Sequence, residues 1–390
     1  MEFPVAMKRC TNCLMPTTKP GVELDDQGHC QGCAHLEMRA ENDYNKRLEK
    51  LKEICDRHRS SDGSYDCIIP VSGGKDSHYQ THFLKEKLDM NPLLVAVGDP
   101  FTKTETGEQN LYNNTEAFDC DLITIEVSPT TVKKMVRTAF EEFGSPTWPV
   151  DRAIYCAPIQ LGVKMDIPLI VYGENTSWEY GGVQYDHDED EPYSAIDQVE
   201  NDVAKDVDFD MWLDNGVSES DLNLMQHPDE NELRAAELEP IYLSYFRPWD
   251  GYQNYRIAKN YGFRTLQHEW DREGFIEDYD QIDSKGYLIN VWMKYPKMGY
   301  MRTTDVVGYY RRSEEFDISL QEGAELIREH DHKLDEEILD DFLEFTGYSD
   351  REFWEIVESH RNEDIFDESF LESGTIPRPT NDFENVDLVS

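Results

Sequence analysis

A short hydrophobic strand that runs directly into a glycine-rich turn constrains the fold of this 390-residue chain more than any other feature. Residues 65–71 form an apolar run, and a helical pattern extends from residue 77 to residue 88. The turn between them reads Ser72-Gly73-Gly74-Lys75-Asp76-Ser77. Its two glycines permit a tight bend and a close backbone approach. Because backbone N–H groups converge where a helix begins, the segment predicts a strand–turn–helix unit with an anion site at the turn.

Strand and helix signals go on alternating as far as residue 175. Further strands are predicted at 92–97, 122–127 and 168–172, and helices at 105–118, 130–143 and 153–165. Alternation of this kind is typical of βαβ units and a parallel sheet. The strands are nearly continuous apolar runs, as expected when helices cover both faces. We therefore expect an α/β fold, a parallel sheet with helices on both faces.

The turn at 72–77 carries residue types that suit phosphate. Lys75 can supply a point charge, and Asp76 can hold Mg²⁺ against the phosphates. The hydroxyls of Ser72 and Ser77 can donate hydrogen bonds. The Walker pattern Gly-x-x-x-x-Gly-Lys-Ser/Thr is absent. The turn instead resembles the Ser-Gly-Gly-x-Asp-Ser signature of the PP-loop ATP pyrophosphatases, which cleave ATP between its α and β phosphates. An ordinary glycine-rich turn is the alternative.

A second candidate segment follows the strand predicted at 168–172. Gly173 permits close approach, and Glu174 or Asn175 could contact nucleotide, metal or substrate. Asp99 follows the strand predicted at 92–97 and would lie at the same edge of the sheet. Open parallel sheets bind ligands at the carboxyl ends of their strands, so these residues are candidate nucleotide ligands. Plain turns after the strands are the alternative.

Four cysteines near the N-terminus form two pairs. Cys10 and Cys13 enclose two residues, as do Cys30 and Cys33, and sixteen residues separate the pairs. Two such knuckles supply the four thiolates of a tetrahedral Zn²⁺ site. Separated knuckles fit a ribbon better than an iron–sulfur cluster. We therefore expect a zinc ribbon with a folding role and no chemistry of its own.

The remaining cysteines are Cys55, Cys67, Cys120 and Cys156. We interpret them as structural, because a lone thiol more often packs in the interior than takes part in chemistry. Sulfur transfer is further disfavoured because no additional Cys-x-x-Cys pair lies near the nucleotide-binding segment.

The chain is strongly acidic throughout. It has 81 acidic and 37 basic residues, a formal net charge of −44. Phosphates would be repelled, which disfavours nonspecific binding to nucleic acid or an anionic membrane. A basic partner or an acidic tail would be alternatives, but the acids are spread over predicted helices as well as loops. We favour a halophilic protein whose self-repulsion is screened by a high-salt cytoplasm.

No membrane segment is predicted. The sequence contains no stretch of roughly 18 apolar residues, the length of a transmembrane helix. The N-terminus also lacks the apolar run of a signal peptide. The expected location is therefore cytoplasmic.

Basic and aromatic residues are interleaved from residue 244 to residue 312. Arg247, Lys285, Lys294 and Arg302 are conspicuous in a chain with so many acids. Basic side chains can clamp a diphosphate, and neighbouring aromatic rings can stack on a base or a sugar. We therefore predict that these four bind substrate, with salt pairing to surrounding acids as the alternative.

Composition divides the chain into five parts. We expect a zinc ribbon at 8–35, a nucleotide-binding domain at 36–183 and an acidic, partly mobile insertion at 184–240. A substrate-binding and C-terminal helical region would follow at 241–375, and a loose tail at 376–390. Helices of that region are predicted at 252–261, 318–329, 334–345 and 350–363.

The motifs occur in an order that resembles a family of sugar-modifying enzymes. The order is the two cysteine pairs, the turn at 72–77, Tyr172-Gly173-Glu174-Asn175, Tyr245-x-x-Pro248-Trp249 and Gln281-Ile282-Asp283-Ser284. Together they look like the N-acetyl sugar amidotransferases of surface-polysaccharide pathways. Those PP-loop enzymes are thought to turn a sugar acetamido group into an acetamidino group. The chain looks like a haloarchaeal-type, acidic member.

The resemblance implies an ATP-dependent amidotransferase that forms AMP and pyrophosphate. Lys75 and Asp76 would be catalytic, with Mg²⁺ at Asp76 and Zn²⁺ at the cysteines. Adenylation of the acetamido oxygen of a nucleotide- or lipid-linked N-acetyl sugar would create an imidate, from which ammonia displaces AMP. Because the sequence carries no glutaminase signature, ammonia would come from a separate glutamine amidotransferase subunit.

Two other classes stay open. Sulfur-transfer enzymes share the cysteine-pair module and the PP-loop, so a tRNA-modifying thiolase or ligase is the main alternative. The net charge and the missing extra cysteine pair argue against it. A non-catalytic assembly protein that retains a nucleotide-binding fold is the second.

Overall fold

A five-stranded parallel sheet forms the centre of the N-terminal half. The computed structural model describes residues 7–98, 103–175, 193–195 and 209–388. The strands are β1 Cys67–Pro70, β2 Pro92–Val97, β3 Asp121–Ile125, β4 Leu169–Tyr172 and β5 Glu239–Tyr242. Their order is β3-β2-β1-β4-β5, and every neighbouring pair is parallel. The predicted α/β class with a parallel sheet is confirmed.

Six helices belong to the described residues of the N-terminal half. They are α1 Gln31–Ala40, α2 Tyr44–His58, α3 Lys75–His82, α4 Glu105–Phe118, α5 Pro129–Phe143 and α6 Trp148–Met165. Helix α3 continues into a π-helical turn at Phe83–Lys87. Helix α6 begins at Trp148 and not at residue 153, because Pro149 occupies its first turn, where a missing N–H costs little.

Apolar side chains fill both faces of the sheet. Cys67 and Ile69 of β1 join a core that includes Leu51 of α2, whereas Ile68 joins a core that includes Ile159 of α6. All five are fully buried. The expected covering of both faces by helices is therefore confirmed, and it accounts for the apolar character of the strands.

Part of the segment expected to be an acidic, partly mobile insertion forms regular structure. It contains α7 Phe209–Asp214, a 3-10 turn at Glu219–Met225, α8 Glu230–Ala235 and the first two residues of strand β5. Trp212 is fully buried and stacks on Trp148, with ring centroids 4.8 Å apart. A few well-buried apolar residues anchor this segment, and its average composition conceals them. The most acidic run, 186–191, lies outside the described residues.

The C-terminal part is helical, as predicted. Its helices are α9 Leu243–Phe246, α10 Gly251–Asn260, α11 Lys285–Trp292, α12 Lys294–Met298, α13 Arg302–Arg312, α14 Leu320–His330, α15 Glu336–Thr346 and α16 Asp350–Ser359, with a 3-10 turn at Leu266–His268. Phe140 of α5, Phe342 of α15 and Phe353 of α16 pack in one core, which ties this part to the sheet. Within the described residues, no helix has both the length and the apolar character needed to cross a membrane.

The cysteine module packs against α13 and against the end of the chain. Arg9 is buried, and its Nε lies 2.6 Å from Asp382 Oδ1. Phe383 is also buried, in a core with Leu14 and Val307 of α13. The tail expected to be loose is therefore packed as far as residue 388. Its few apolar residues are enough because each meets a surface already formed by other elements.

Candidate active site

The candidate site lies at the point where the order of the strands in the sheet reverses. From β1 the chain passes to β2 and β3 on one side of the sheet, and β4 and β5 lie on the other. The crevice beyond the carboxyl ends of β1 and β4 is therefore the topological switch point, where open α/β sheets bind ligands. A cavity of about 340 Å³ occupies it, which falls in the range of roughly 300–1,000 Å³ typical of ligand sites.

The turn at 72–77 forms one wall of the cavity. Gly73 has a φ of +95°, and a Cβ there would come within 2.8 Å of the Gly107 carbonyl oxygen. The Ser72 N–H donates to Ser77 Oγ at 3.0 Å, and the Gly74 N–H donates to Ser72 Oγ at 3.2 Å. Both hydroxyls thus accept hydrogen bonds that fix the turn, and each keeps its own hydrogen to donate. The first turn of α3 adds backbone N–H groups, an arrangement that suits phosphate.

Lys75 links this turn to the C-terminal part of the chain. It is 4% exposed, and its Nζ lies 2.6 Å from Asp76 Oδ2 and 2.7 Å from Asp280 Oδ1. The other oxygen of Asp280 accepts a hydrogen bond from Arg302. Burial by itself raises the pKa of Asp280, but the charges of Lys75 and Arg302 outweigh it and lower that pKa to about 2. Asp280 is therefore ionised and bridges two cations.

Asp76 is held by helix α10. Its Oδ1 accepts a hydrogen bond from Asn254 Nδ2 at 2.7 Å, while Oδ2 faces Lys75. The carboxylate lines the cavity, and carboxylate oxygens are ligands that Mg²⁺ prefers. Asp76 thus fits the role of a magnesium ligand beside a bound polyphosphate.

The second predicted segment, 173–175, borders the same cavity. A Cβ at Gly173 would come within 3.0 Å of the Trp249 ring. The Ser244 N–H donates to the Gly173 carbonyl oxygen at 3.0 Å, and the Asn175 N–H donates to Ser244 Oγ at 3.2 Å. Gly173 and Glu174 line the cavity, whereas Asn175 is buried outside its lining. The backbone is therefore fixed on both sides of Glu174.

A loop from the C-terminal part, residues 279–284, forms a further wall, and all six of its residues line the cavity. Thr104 at the start of α4 holds this loop. Its N–H donates to the Asp283 carbonyl oxygen at 3.2 Å, and its hydroxyl donates to the Ile282 carbonyl oxygen. Gly107 allows the close approach, because a Cβ there would lie 2.6 Å from Asp283 Cα. The cavity is therefore built jointly by the sheet and the C-terminal part.

Asp280 is a site residue that sequence analysis did not single out. One carboxylate among 81 acidic residues carries no signal of its own. The prediction for residues 244–312 rested on basic side chains, so it did not include Asp280. The available signal was its position next to the motif at 281–284.

None of the four basic residues predicted to bind substrate lines the cavity. The Arg247 guanidinium lies over the Phe83 ring, 5.2 Å from its centroid. Arg302 is connected to the cavity wall through its ion pair with Asp280, and it is therefore linked to the candidate site.

The two lysines of that group are paired with acids at other places. Lys285 Nζ lies 2.7 Å from Glu337 Oε1, and Lys294 Nζ lies 3.0 Å from Asp305 Oδ2. The alternative of salt pairing therefore describes both lysines in this structure.

Another wall of the cavity is apolar. Val97 of β2 and Ile154, Tyr155 and Pro158 of α6 line it. Such a surface suits a planar base, as the turn at 72–77 suits phosphates. No cysteine lines the cavity among the described residues. Asp99, the remaining candidate at this edge, lies outside them.

The four N-terminal cysteines converge on one point. Their sulfurs lie 3.8 Å apart for Cys10 and Cys33, 3.5 Å for Cys13 and Cys30, and 3.8 Å for Cys30 and Cys33. A tetrahedral zinc with Zn–S bonds of about 2.3 Å requires sulfurs about 3.8 Å apart. All four are buried, and Asn12 Nδ2 donates to Cys33 Sγ at 3.3 Å. The donor set therefore fits a structural Zn²⁺.

Two comparisons of sequence match parts of the chain. Residues 252–375 match the model of a family described as LPS biosynthesis protein WbpG-like, C-terminal domain. The uncharacterized protein MJ1599 of Methanocaldococcus jannaschii is 30% identical over 116 residues, which are 30% of this chain and 41% of that protein. The chain thus spans less than half the length of this curated relative.

Two solved structures show partial likeness. NMN synthetase from Francisella tularensis has a TM-score of 0.26 and 11% identity, covering 56% of this chain and 87% of that one. The U34-tRNA thiolase NcsA from Methanococcus maripaludis has a TM-score of 0.25 and 14% identity, covering 60% of this chain and 83% of that one. Scores this low add nothing to the fold seen directly in the sheet.

Proposed function

We propose that this chain is an ATP-dependent amidotransferase that converts the acetamido group of an N-acetyl sugar into an acetamidino group. ATP would adenylate the acetamido oxygen and release pyrophosphate, and ammonia would then displace AMP. The observation that carries the proposal is the ion bridge from Lys75 through Asp280 to Arg302. This bridge joins the nucleotide-type turn to the region that matches the LPS biosynthesis domain.

The nucleotide half of the proposal rests on the turn at 72–77. An entering triphosphate would compete with Asp76 and Asp280 for the buried ammonium of Lys75. Lys75 and a Mg²⁺ ion at Asp76 would then neutralise the charge that develops on the departing pyrophosphate. Because their positions are fixed before the nucleotide arrives, little reorganisation is needed at the moment of reaction.

The acceptor half rests on the loop at 279–284. This loop brings carboxylate, amide and hydroxyl groups to the cavity from Asp280, Gln281, Asp283 and Ser284. Such groups can pair with the hydroxyls and the amide of a sugar. We therefore assign acceptor binding to the region at 241–375, with either a nucleotide or a lipid as the sugar's carrier.

Ammonia would come from a separate glutamine amidotransferase subunit. The test is co-purification: when this chain is isolated from its native host, we expect a glutaminase to be isolated with it. Full glutamine-dependent turnover by this chain alone would contradict the assignment.

Pyrophosphate release tests the proposed reaction. The purified chain would be incubated with ATP, Mg²⁺ and ammonium across a panel of nucleotide-activated N-acetyl sugars. We expect release that depends on one sugar and on ammonium, and that is lost in Asp76→Ala. Asp62→Ala is the matched control, because Asp62 is an exposed carboxylate away from the cavity. Its activity should equal that of the unchanged protein.

Two outcomes would contradict this function. Release of ADP and phosphate in place of pyrophosphate would exclude cleavage between the α and β phosphates. Tight ATP-independent binding of bulk tRNA in a gel shift, without any sugar-dependent turnover, would favour a tRNA-modifying enzyme instead.

A further inference from the structure

Glu174 contributes a further carboxyl group to the cavity. It follows β4 and lines the same cavity as Lys75 and Asp76. The backbone is fixed on both sides of it. The Gly173 carbonyl oxygen accepts a hydrogen bond from the Ser244 N–H, and the Asn175 N–H donates to Ser244 Oγ. Gly173 is also packed between the Trp249 ring, 3.0 Å from an added Cβ, and Gln80 at 3.3 Å. The backbone that carries the Glu174 carboxyl is therefore fixed beside the cavity.

The cavity carboxyls fall into two kinds. Asp76 and Asp280 both contact the Lys75 ammonium, at 2.6 and 2.7 Å, and Asp280 is also paired with Arg302. These cations keep Asp280 ionised. Glu174 has no such cation within bonding distance among the described contacts, and loss of solvent around it raises its pKa. Carboxyls pushed apart in this way commonly take different roles in acid–base chemistry.

The second half of the proposed reaction needs a base. When the nitrogen of ammonia bonds to the imidate carbon, that nitrogen becomes positively charged. Unless it loses a proton, it is a better leaving group than AMP, and the intermediate reverts. A base with a proton affinity matched to neutral pH is the most effective one for this transfer.

We infer that Glu174 is the catalytic base that accepts the proton from the attacking ammonia nitrogen, an inference that rests on the proposed function. The nitrogen lone pair forms the new C–N bond, and the C=N electron pair moves to the sugar nitrogen. One proton passes from the new ammonium group to the Glu174 carboxylate. The C–O bond then breaks as the electron pair on the sugar nitrogen re-forms the C=N bond, AMP leaves with the C–O bonding pair, and a neutral amidine remains, which takes up a proton from solvent to become an amidinium. Glu174 gives its proton to solvent when the products leave.

A change of nucleophile tests this role. Hydroxylamine is largely unprotonated at neutral pH, and the ammonium that it forms on attack is far more acidic than that formed by ammonia. It therefore depends much less on a base. We expect Glu174→Gln to lose about 100-fold in the rate of product formation with ammonia, as is typical of a lost general base. With hydroxylamine, the same variant should lose less than about 5-fold, on the same scale of base assistance.

The controls separate this role from others. Asp76→Asn should lose activity equally with both nucleophiles, because it acts before either attacks. Glu174→Asp, which keeps a carboxylate, should retain more ammonia-dependent activity than Glu174→Gln. Hydroxylamine turnover by Glu174→Gln also shows that the variant is folded.

Three results would overturn the inference. Equal losses with ammonia and hydroxylamine in Glu174→Gln would place Glu174 in nucleotide binding. Full ammonia-dependent activity in Glu174→Gln would remove it from the reaction. No sugar-dependent product from the unchanged protein with either nucleophile would overturn the proposed function, and this inference with it.

Discussion

Asp280 connects the N-terminal and C-terminal parts of the chain through two ion pairs. Its carboxylate touches Lys75 of the phosphate-type turn and Arg302 at the start of α13. Lys75 is 4% exposed, so its charge cannot rely on water and needs these acids. The two ion pairs hold the Lys75 ammonium in place, ready to exchange a carboxylate for a phosphate.

The first prediction concerns the stability that this bridge supplies. Asp280→Asn should lower the free energy of unfolding by about 2 kcal/mol near neutral pH, because two cations lose a shared partner. The pKa of Asp280 is lowered from 3.8 to about 2 in the folded protein. The bridge therefore stabilises fully above the unfolded value, and its contribution is lost as the pH falls through the folded value. Urea unfolding between about pH 6 and pH 2 measures this dependence.

A surface pair provides the control. Lys52 and Glu49 lie 2.8 Å apart but are 46% and 69% exposed. Glu49→Gln should change the free energy of unfolding by less than about 0.5 kcal/mol. The account of Asp280 is wrong if its variant behaves like this control, or if its deficit is undiminished at about pH 2.

The second prediction concerns Gly73. Gly73→Ala should cost about 3 kcal/mol and abolish ATP binding, because its φ is +95° and the new Cβ would press on the backbone of α4 at 2.8 and 2.9 Å. Gly63 has a similar φ of +87° but nothing within 4 Å, so Gly63→Ala should cost only about 1 kcal/mol and leave nucleotide binding intact. Thermal unfolding and nucleotide titration of both variants measure the difference. Equal effects of the two substitutions would contradict the close packing of the turn on α4.

At the scale of elements, sequence patterns predicted most strands of the sheet and the helices between them. Strand β2 and helix α4 have the predicted bounds, because apolar runs and amphipathic periods are local signals. Strand β5 was missed since Glu239 and Pro240 are not typical strand residues and the flanking sequence is acidic. Its place depends on pairing with β4, which is a tertiary contact that no local pattern records.

Helix α13 connects the cysteine module to the candidate site. It begins at Arg302, which pairs with Asp280. Near its other end, Arg311 Nε donates to the Asn12 carbonyl oxygen at 3.0 Å, between the first two cysteines. Folding of the module should therefore influence the position of Arg302, although the two lie at opposite ends of one helix.

The third prediction follows from this connection. Cys13→Ser should abolish zinc binding, lower the melting temperature and reduce pyrophosphate release, since binding of a structural metal is coupled to folding. Metal analysis, thermal unfolding and the release assay measure the three effects. Cys120→Ser is the control, because Cys120 lies outside the cluster. Full metal content or an unchanged melting temperature in Cys13→Ser would contradict the prediction.

At the scale of the whole molecule, the main electrostatic feature is the formal net charge of −44. Like charges repel one another across a folded surface, and this repulsion is screened by salt. The fourth prediction is that the melting temperature rises steadily as KCl is increased from about 0.1 M to about 2 M. Betaine, which is uncharged overall and does not screen, should raise it much less at equal osmolarity. A melting temperature that KCl leaves unchanged or lowers would contradict the high-salt interpretation.

The candidate site was only partly predictable from the sequence, for reasons that lie in the whole fold. The turn at 72–77 and the segment at 173–175 follow adjacent strands, so local motifs and the rules of parallel sheets located both. Asp280 is more than two hundred positions from Lys75 and reaches it only through the docking of the C-terminal part. Lys285 and Lys294 stood out by charge alone, and the folded chain pairs them with Glu337 and Asp305.

The central claim is that ATP activates the acetamido oxygen of a sugar, and an isotope label tests it most directly. The N-acetyl carbonyl of the accepted sugar would be labelled with oxygen-18, and AMP from a turnover with ammonia would be analysed by mass spectrometry. We predict that the label appears in the phosphate of AMP, because the acetamido oxygen becomes bonded to the α-phosphorus and leaves with it. Unlabelled AMP, or a labelled sugar product, would contradict the account.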